Sequence, residues 1–192
     1  MVSPGSILAG LLALAMTAPC HLLAADAGAS VAQKLTRIER GEAAPGSVVR
    51  LSEAELNAWV RAKTPTVVDD GFREPKLTLG AGEATASALV DFLKVRHANG
   101  AETNWLVAKL IQGEKLVRAR ATIRSAQGTA TVHLLRVEVG GLAVSGAALN
   151  FLVDNFLRPF YPDAQIEAPF ELEPHVDRVE VTPAELRIYI RK

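Results

Sequence analysis

The stretch GGLAVSGAALNFLVDNFLRPFYPD, residues 140–163, decides the fold that the sequence predicts. It has the pattern of one strongly apolar helix between two turn signals, because Ser145 can cap the first free N–H groups and Pro159 prevents continuation. Its apolar side chains follow the i, i+3, i+4, i+7 spacing of a buried stripe, namely Leu149, Leu152, Val153, Phe156 and Phe160. A helix this apolar needs cover on more than one side, and strand-like segments precede and follow it. The expected fold is therefore α+β, with a curled antiparallel β-sheet wrapped around this long apolar helix and a further helix near the N-terminus.

The first 27 residues predict a secretory signal peptide. The apolar run ILAGLLALAMTA, residues 7–18, is shorter than an ordinary membrane-spanning helix, and Ala25 and Ala27 are small residues of the kind that precede a signal-peptidase cut. Because this segment carries no Lys or Arg, an uncleaved membrane anchor is the alternative. Lipid attachment to Cys20 is not expected, since Pro19 stands where a small residue is needed. The predicted location after cleavage is the bacterial periplasm or the exterior.

The rest of the chain divides into an N-terminal segment with a linker (residues 28–49) and one domain (residues 50–192). Its composition excludes several classes of function. The 21 basic residues balance 21 acidic ones, so nucleic acid is not an expected partner. The single cysteine lies in the leader, which excludes disulfides, a catalytic thiol and thiolate metal sites from the domain. None of its histidines has a metal-ligand spacing. We therefore predict no catalytic residues, no metal and no cofactor.

The segment LSEAELNAWV, residues 51–60, predicts the start of a helix. Ser52 and Glu55 have the S-x-x-E spacing of a capping box, in which the two side chains satisfy free backbone N–H groups at a helix start reciprocally. Residues 72–139 then have the pattern of strands. A glycine-rich turn is expected at residues 80–82, and the X-Gly pairs at residues 112–113 and 127–128 are hairpin signals, so we expect successive strands to pair antiparallel.

A row of arginines marks one face of the strand LVRARATIR, residues 116–124. Strict alternation places Arg118, Arg120 and Arg124 on one side and small apolar residues on the other. Adjacent arginines repel one another unless they meet carboxylates, solvent or anions. The row is therefore either a solvated face paired with neighbouring glutamates or a contact for anionic head groups of lipids or envelope polymers.

Two further strand segments, residues 84–95 and 129–139, carry apolar residues on both faces under strict alternation. The second apolar surface then needs its own cover, for which the N-terminal helix, a partner subunit, a membrane or a bound apolar ligand are the alternatives. Small alanines leave room between sheet and helix. The residues expected to line a ligand groove there are Leu89, Val90, Phe92, Ala119, Ala121, Leu149, Leu152 and Phe156.

Two motifs resemble those of known bacterial envelope proteins. LSEAELNAWV is similar to the "LTxxELNxYL" helix that begins such domains, and VEVGGLAVSGAALNFLVDNFLRPFYPDAQI is similar to their turn into a central apolar helix. Over residues 50–191 the chain thus resembles the YpmS-like and YceB-like envelope proteins, which are similar to the tubular lipid-binding (BPI-like) architecture. It departs from them in lacking the usual proline near residues 142–144 and the lipobox. The resemblance implies a non-enzymatic role in binding lipids or apolar ligands.

Two hypotheses for function follow. The first is a periplasmic or secreted binding protein for a lipid or other apolar amphiphile, held in a groove between the sheet and the central helix. Burial of an acyl chain there contributes about 0.8 kcal/mol per CH₂ group. The alternative is an envelope scaffold or assembly factor whose apolar surface contacts another protein. An enzyme is the least favoured class, because no motif for nucleophilic or acid–base catalysis is present.

Overall fold

The computed structural model describes residues 25–67, 71–92, 94, 113–158 and 166–192. Its helices are α1 (Ala25–Glu39), α2 (Glu53–Val67) and α3 (Gly146–Leu152), and α3 continues as a π-helical segment (Val153–Leu157). Its strands are β1 (Val48–Ser52), β2 (Phe72–Leu79), β3 (Glu83–Asp91), β4 (Glu114–Ala126), β5 (Thr129–Val139), β6 (Leu142–Val144), β7 (Pro169–Glu171), β8 (Val176–Thr182) and β9 (Glu185–Ile190). None of the helices in these ranges is both long and apolar enough to cross a membrane.

The strands form two antiparallel sheets. The small sheet has the order β1-β9-β8, and the large sheet has the order β2-β3-β4-β5-β6. The outer edge of β5 pairs with β6 at residues 137–139 and with β7 at residues 129–131. The turns at residues 80–82 and 127–128 join β2 to β3 and β4 to β5, so these two predictions are confirmed. The predicted hairpin signal at residues 112–113 lies partly outside the described residues. The predicted capping box at the start of α2 is also confirmed, because the Glu55 N–H donates to the Ser52 hydroxyl and the Ser52 N–H donates to the Glu55 carboxylate.

The predicted curled sheet around a long apolar helix is wrong. The helix is short, with seven α-helical residues followed by five π-helical ones, and the sheet is neither curled nor closed. Among the α3 residues only Leu152 is buried. Ser145 has the extended backbone of an N-cap, yet its side chain makes no capping hydrogen bond. A short helix with few buried positions needs cover on one side only, and one end of the open sheet supplies it.

Two hydrophobic clusters occupy the same face of the large sheet, which we call the packed face. The first joins the two N-terminal helices and the small sheet to one end of the large sheet, and its most deeply buried members include Val31, Leu51, Trp59, Val176 and Ile188. The second lies at the other end, where α3 packs on the sheet; its buried members are Val90, Phe92, Val139, Val144 and Leu152. Side chains of β3, β5, β6 and α3 thus pack together at this end of the sheet.

A β-bulge in β5 determines which of its residues reach the packed face. Leu134 pairs with Ala121 and Arg136 pairs with Arg120, so Leu135 is an extra residue between them. Strict alternation would place residues 132 and 139 on opposite faces, but the extra residue returns both to the packed face. The prediction that β5 is apolar on both faces is therefore wrong, and its other face is largely polar.

The hairpin ends of the large sheet cover the outer edge of β8. The Ser125 hydroxyl donates to the Val179 carbonyl at 2.6 Å and accepts from the Val179 N–H at 2.7 Å. The Gly128 N–H donates to the Asp177 carbonyl at 2.6 Å. These bonds join the end of one sheet to the edge of the other.

Candidate anion-binding site

Charged side chains from neighbouring strands meet on the other side of the large sheet, which we call the arginine face. Directly opposite residues share a face of a sheet, and Arg118 lies opposite Glu138 while Arg120 lies opposite Arg136. On the other side of β4, Thr85 lies opposite Arg120. These five residues line a cleft of about 420 Å³, the arginine cleft.

Glu138 holds two of the three arginines. Its Oε1 accepts a hydrogen bond from Arg136 Nε at 2.6 Å, and its Oε2 accepts one from Arg118 Nη1 at 3.3 Å. The Glu138 side chain is only 17% exposed, whereas those of Arg118 and Arg136 are 51% and 55% exposed. The carboxylate therefore lies beneath two guanidinium groups and orients them toward solvent.

Arg120 has a weaker interaction with its nearest carboxylate. Its Nε is 3.9 Å from Glu83 Oε2, which is beyond hydrogen-bond distance. Within the part of the chain that the structure describes, its guanidinium makes no hydrogen bond. The cleft thus contains three positive charges and one directly bound negative charge, an excess of two, which Glu83 at the rim reduces to one at a distance.

The hydrogen bond from Arg136 is the main reason that the pKa of Glu138 lies below its ordinary value of 4.5. Partial burial opposes this effect, and the charges of Arg136 and Arg118 strengthen it. Glu138 is therefore ionised well into the acidic range, and the charge pattern of the cleft is kept there, since guanidinium groups do not titrate at such pH values.

Exposed leucines border the arginine cleft. Leu116 precedes Arg118 by two residues on the same face of β4 and is 41% exposed, and it lies opposite the half-buried Leu89. Leu135, the extra residue of the bulge, is 46% exposed beside Arg136. Positive and apolar surface are thus adjacent on one side of the sheet.

A His–Glu pair lies next to the cleft along β5. His133 Nδ1 is 2.8 Å from Glu167 Oε2, and the Leu134 N–H donates to Glu167 Oε1 at 2.6 Å. The bond with His133 is the main cause of a lowered pKa of Glu167, followed by the bond from Leu134. The Glu167 N–H also donates to the Val132 carbonyl, so Glu167 covers the edge of β5 between β6 and β7. Among the residues with described positions, no group of three or more His, Cys, Asp or Glu side chains is arranged to hold a metal ion.

The structure distributes the predicted ligand-binding residues over both faces of the large sheet. On the packed face, the second cluster contains Val90, Phe92, Leu149 and Leu152, and the first cluster contains Ala121. Ala119 is half-buried on this face, and Leu89 lies on the arginine face. The side chain of Phe156 lies outside the described part. The sheet therefore separates Leu89 from the other described members of this set.

Of the three predicted anion contacts, Arg118 and Arg120 line the arginine cleft. Arg124 lies opposite Thr131 on the same face, outside the cleft. The sequence reasoning missed Thr85, Arg136 and Glu138. Pairing β4 with β5 through the turn at residues 127–128 would have found Arg136 and Glu138, but only with the bulge included.

No family model and no curated protein matches this chain. The resemblance to YpmS-like and YceB-like envelope proteins is therefore still a prediction from sequence motifs alone.

Proposed function

We propose that the protein is a non-enzymatic binding protein for an anionic amphiphile, and that the charged group of the ligand lies in the arginine cleft. One observation carries this proposal: three exposed guanidinium groups surround an open cleft, and its one hydrogen-bonded carboxylate, Glu138, binds only two of them. Like charges placed directly opposite each other in a sheet destabilise it, as with Arg120 and Arg136. A bound anion removes that repulsion and accepts charge-assisted hydrogen bonds.

The exposed leucines beside the cleft support an amphiphile rather than a simple ion. Leu116 lies two residues before Arg118 on β4, and Leu135 directly precedes Arg136, so both place apolar surface next to the arginines. If this surface covers three methylene groups of a ligand, burial contributes about 2 kcal/mol. We propose this site in place of the groove between sheet and central helix, because the curled sheet around a long apolar helix that such a groove requires is not the observed fold.

The predicted signal peptide supports a periplasmic or secreted location for this activity. Residues 1–24, which include the apolar run, lie outside the described part of the chain. The proposed ligand therefore comes from the cell envelope or its surroundings, as a free amphiphile or as part of a membrane surface.

The alternative role as an envelope scaffold is favoured by a different observation. Leu142 is 64% exposed on β6, a short strand at the edge of the large sheet. An exposed apolar residue on an edge strand is a common contact for another protein. If this alternative holds, Leu142→Ser abolishes self-association or partner binding and leaves anion binding unchanged.

Isothermal titration calorimetry with octyl phosphate and methyl phosphate tests the preferred function. We expect the octyl compound to bind at least about tenfold more tightly, because its chain contacts the leucines. Leu116→Ser should remove most of this difference, and Arg118→Gln should weaken both ligands. The proposal is contradicted if neither compound binds. It is also contradicted if Arg124→Gln, outside the cleft, weakens binding as much as Arg118→Gln does.

A further inference from the structure

Resting on the proposed function, we infer that the arginine cleft selects a phosphate monoester dianion over a monoanionic head group of similar size. The charges of the cleft point to this class. Three guanidinium groups face one bound carboxylate, which leaves an excess of two positive charges within the cleft; Glu83 at the rim, 3.9 Å from Arg120 Nε, offsets part of it. A phosphate monoester carries a charge of about −1.5 to −2 at neutral pH. A sulfate ester or carboxylate carries one negative charge and so compensates less of the excess within the cleft than a dianion does.

The unused hydrogen-bond donors point to the same class. Each guanidinium group has about five N–H donors. Arg118 and Arg136 each use one for Glu138, and in the described chain Arg120 uses none. A terminal phosphate offers three oxygens as acceptors, whereas a carboxylate offers two.

The spacing of the three arginines allows convergence on one phosphate. Residues two apart on a strand are roughly 7 Å apart, and directly opposite residues are about 5 Å apart. Arg118 and Arg120 have the first relationship, and Arg120 and Arg136 have the second. Because arginine side chains are longer than these separations, all three are able to reach a single phosphate, and Thr85 also lines the cleft.

Other charged groups near the cleft also affect how anion binding depends on pH, and their effect must be distinguished from titration of the ligand. Those on the same face of the described strands are Arg73 and Lys76 on β2, Glu83 and Asp91 on β3, Glu114 and Arg124 on β4, His133 and Glu138 on β5, and Glu171 on β7, with Glu167 bound to His133. Of these side-chain types, only imidazole ordinarily changes charge between pH 5 and 8. Protonation of an imidazole adds positive charge, which strengthens anion binding as pH falls. The phosphate ligand itself has the opposite effect, because it loses one negative charge below its second pKa of about 6.

Octyl phosphate and octyl sulfate form a matched pair of probes, since they share a chain and a tetrahedral head group. We propose calorimetric titration of the purified protein with each compound, below its micelle-forming concentration, at about pH 7.5 and about pH 5. Octyl phosphate should bind about tenfold more tightly at the higher pH, and this ratio should fall toward one at the lower pH. The sulfate keeps one charge throughout, so a change in its affinity reports titration of the protein.

Two variants locate the selectivity. Arg120→Gln should reduce the ratio of phosphate to sulfate affinity to about one-third or less at the higher pH. Arg124→Gln, on the same strand and face but outside the cleft, should leave the ratio unchanged. Circular dichroism and thermal melting verify that both variants are folded.

The outcomes separate the two proposals. Equal affinity for the two octyl compounds at both pH values overturns the dianion selectivity and leaves the proposed function intact. Binding of neither compound overturns the proposed function as well. A pH-dependent preference that Arg120→Gln does not alter also overturns the inference, because the dianion would then be bound elsewhere.

Discussion

The side-chain amide of Asn57 on α2 makes two hydrogen bonds with the backbone of Leu77 on β2. Asn57 Oδ1 accepts from the Leu77 N–H at 2.8 Å, and Asn57 Nδ2 donates to the Leu77 carbonyl at 2.7 Å. Glu53 Oε2 accepts from the Leu79 N–H at 2.8 Å in the same way. Because β2 is at the edge of the large sheet, α2 provides the partners that a further strand would provide.

Asn57→Ala should therefore destabilise the fold by about 2–3 kcal/mol, because it leaves an N–H and a carbonyl of an edge strand without their partners. Urea denaturation measures the change. Asn150→Ala on α3 is the control, since Asn150 is exposed, and it should change stability by less than about 0.5 kcal/mol. Equal effects of the two substitutions would show that the Asn57 amide contributes nothing specific.

Glu55 should make stability depend on acidic pH. Burial alone would raise its pKa, but hydrogen bonds from Lys34, Ser52 and Ser30 outweigh burial and lower the pKa from 4.5 to about 2. The folded-state pKa lies below the unfolded one, so this stabilisation is complete above pH 4.5 and is lost as pH falls toward about 2.

Glu55→Gln should lower the free energy of unfolding by about 2 kcal/mol at neutral pH, and the difference from the native protein should vanish toward the acidic limit. Chemical denaturation as a function of pH measures both. The exposed Glu42, as Glu42→Gln, is the control. A difference that persists unchanged at the lowest pH would contradict the role assigned to the carboxylate.

The arginine cleft should cost stability when no ligand is bound. Arg120 and Arg136 are directly opposite each other, and like charges in that position repel. Arg120→Thr should raise the free energy of unfolding by about 0.5 kcal/mol at low salt, and high salt should remove the gain. Thermal melting at two salt concentrations checks this. Arg124→Thr, which removes an arginine opposite Thr131, should give no such gain.

Deletion of Leu135 should leave the protein folded. Without this extra residue, Leu134 still faces Ala121 and Arg136 still faces Arg120, so the apolar residues of β5 keep their face. Deletion of Val137 instead turns charged residues toward the packed face and should prevent folding. NMR spectra of the two deletion variants distinguish these outcomes, and an unfolded Leu135 deletion would mean that the bulge itself is required for the fold.

Local features were predictable from the sequence, and long-range ones were not. The Ser52–Glu55 capping box and the two hairpin turns depend on residues a few positions apart, which the sequence displays directly. The bulge at Leu135 has no comparable marker, because Leu134 and Leu135 are identical and neither is a turn residue. Strict alternation applied along β5 without the bulge assigns Val137 to the wrong face. It also hides the pairing of Arg136 with Arg120.

The prediction for residues 140–163 failed for a different reason. Apolar spacing shows which side of a helix is buried, but not how far the helix extends or what covers it. Those depend on partners distant in sequence, such as Val90 and Phe92 against Leu152. The pairs Asn57–Leu77 and His133–Glu167 were hidden for the same reason, with separations of 20 and 34 residues.

The bonds between Ser125 and Val179 have a consequence for how the protein unfolds. The outer edge of β8 takes its hydrogen-bond partners from the hairpin end of the large sheet, so that sheet cannot open without leaving groups of β8 unpaired. We therefore expect the two sheets to unfold together. The amide proton of Val179 should exchange with solvent only through global unfolding, as slowly as amides at the centre of β4.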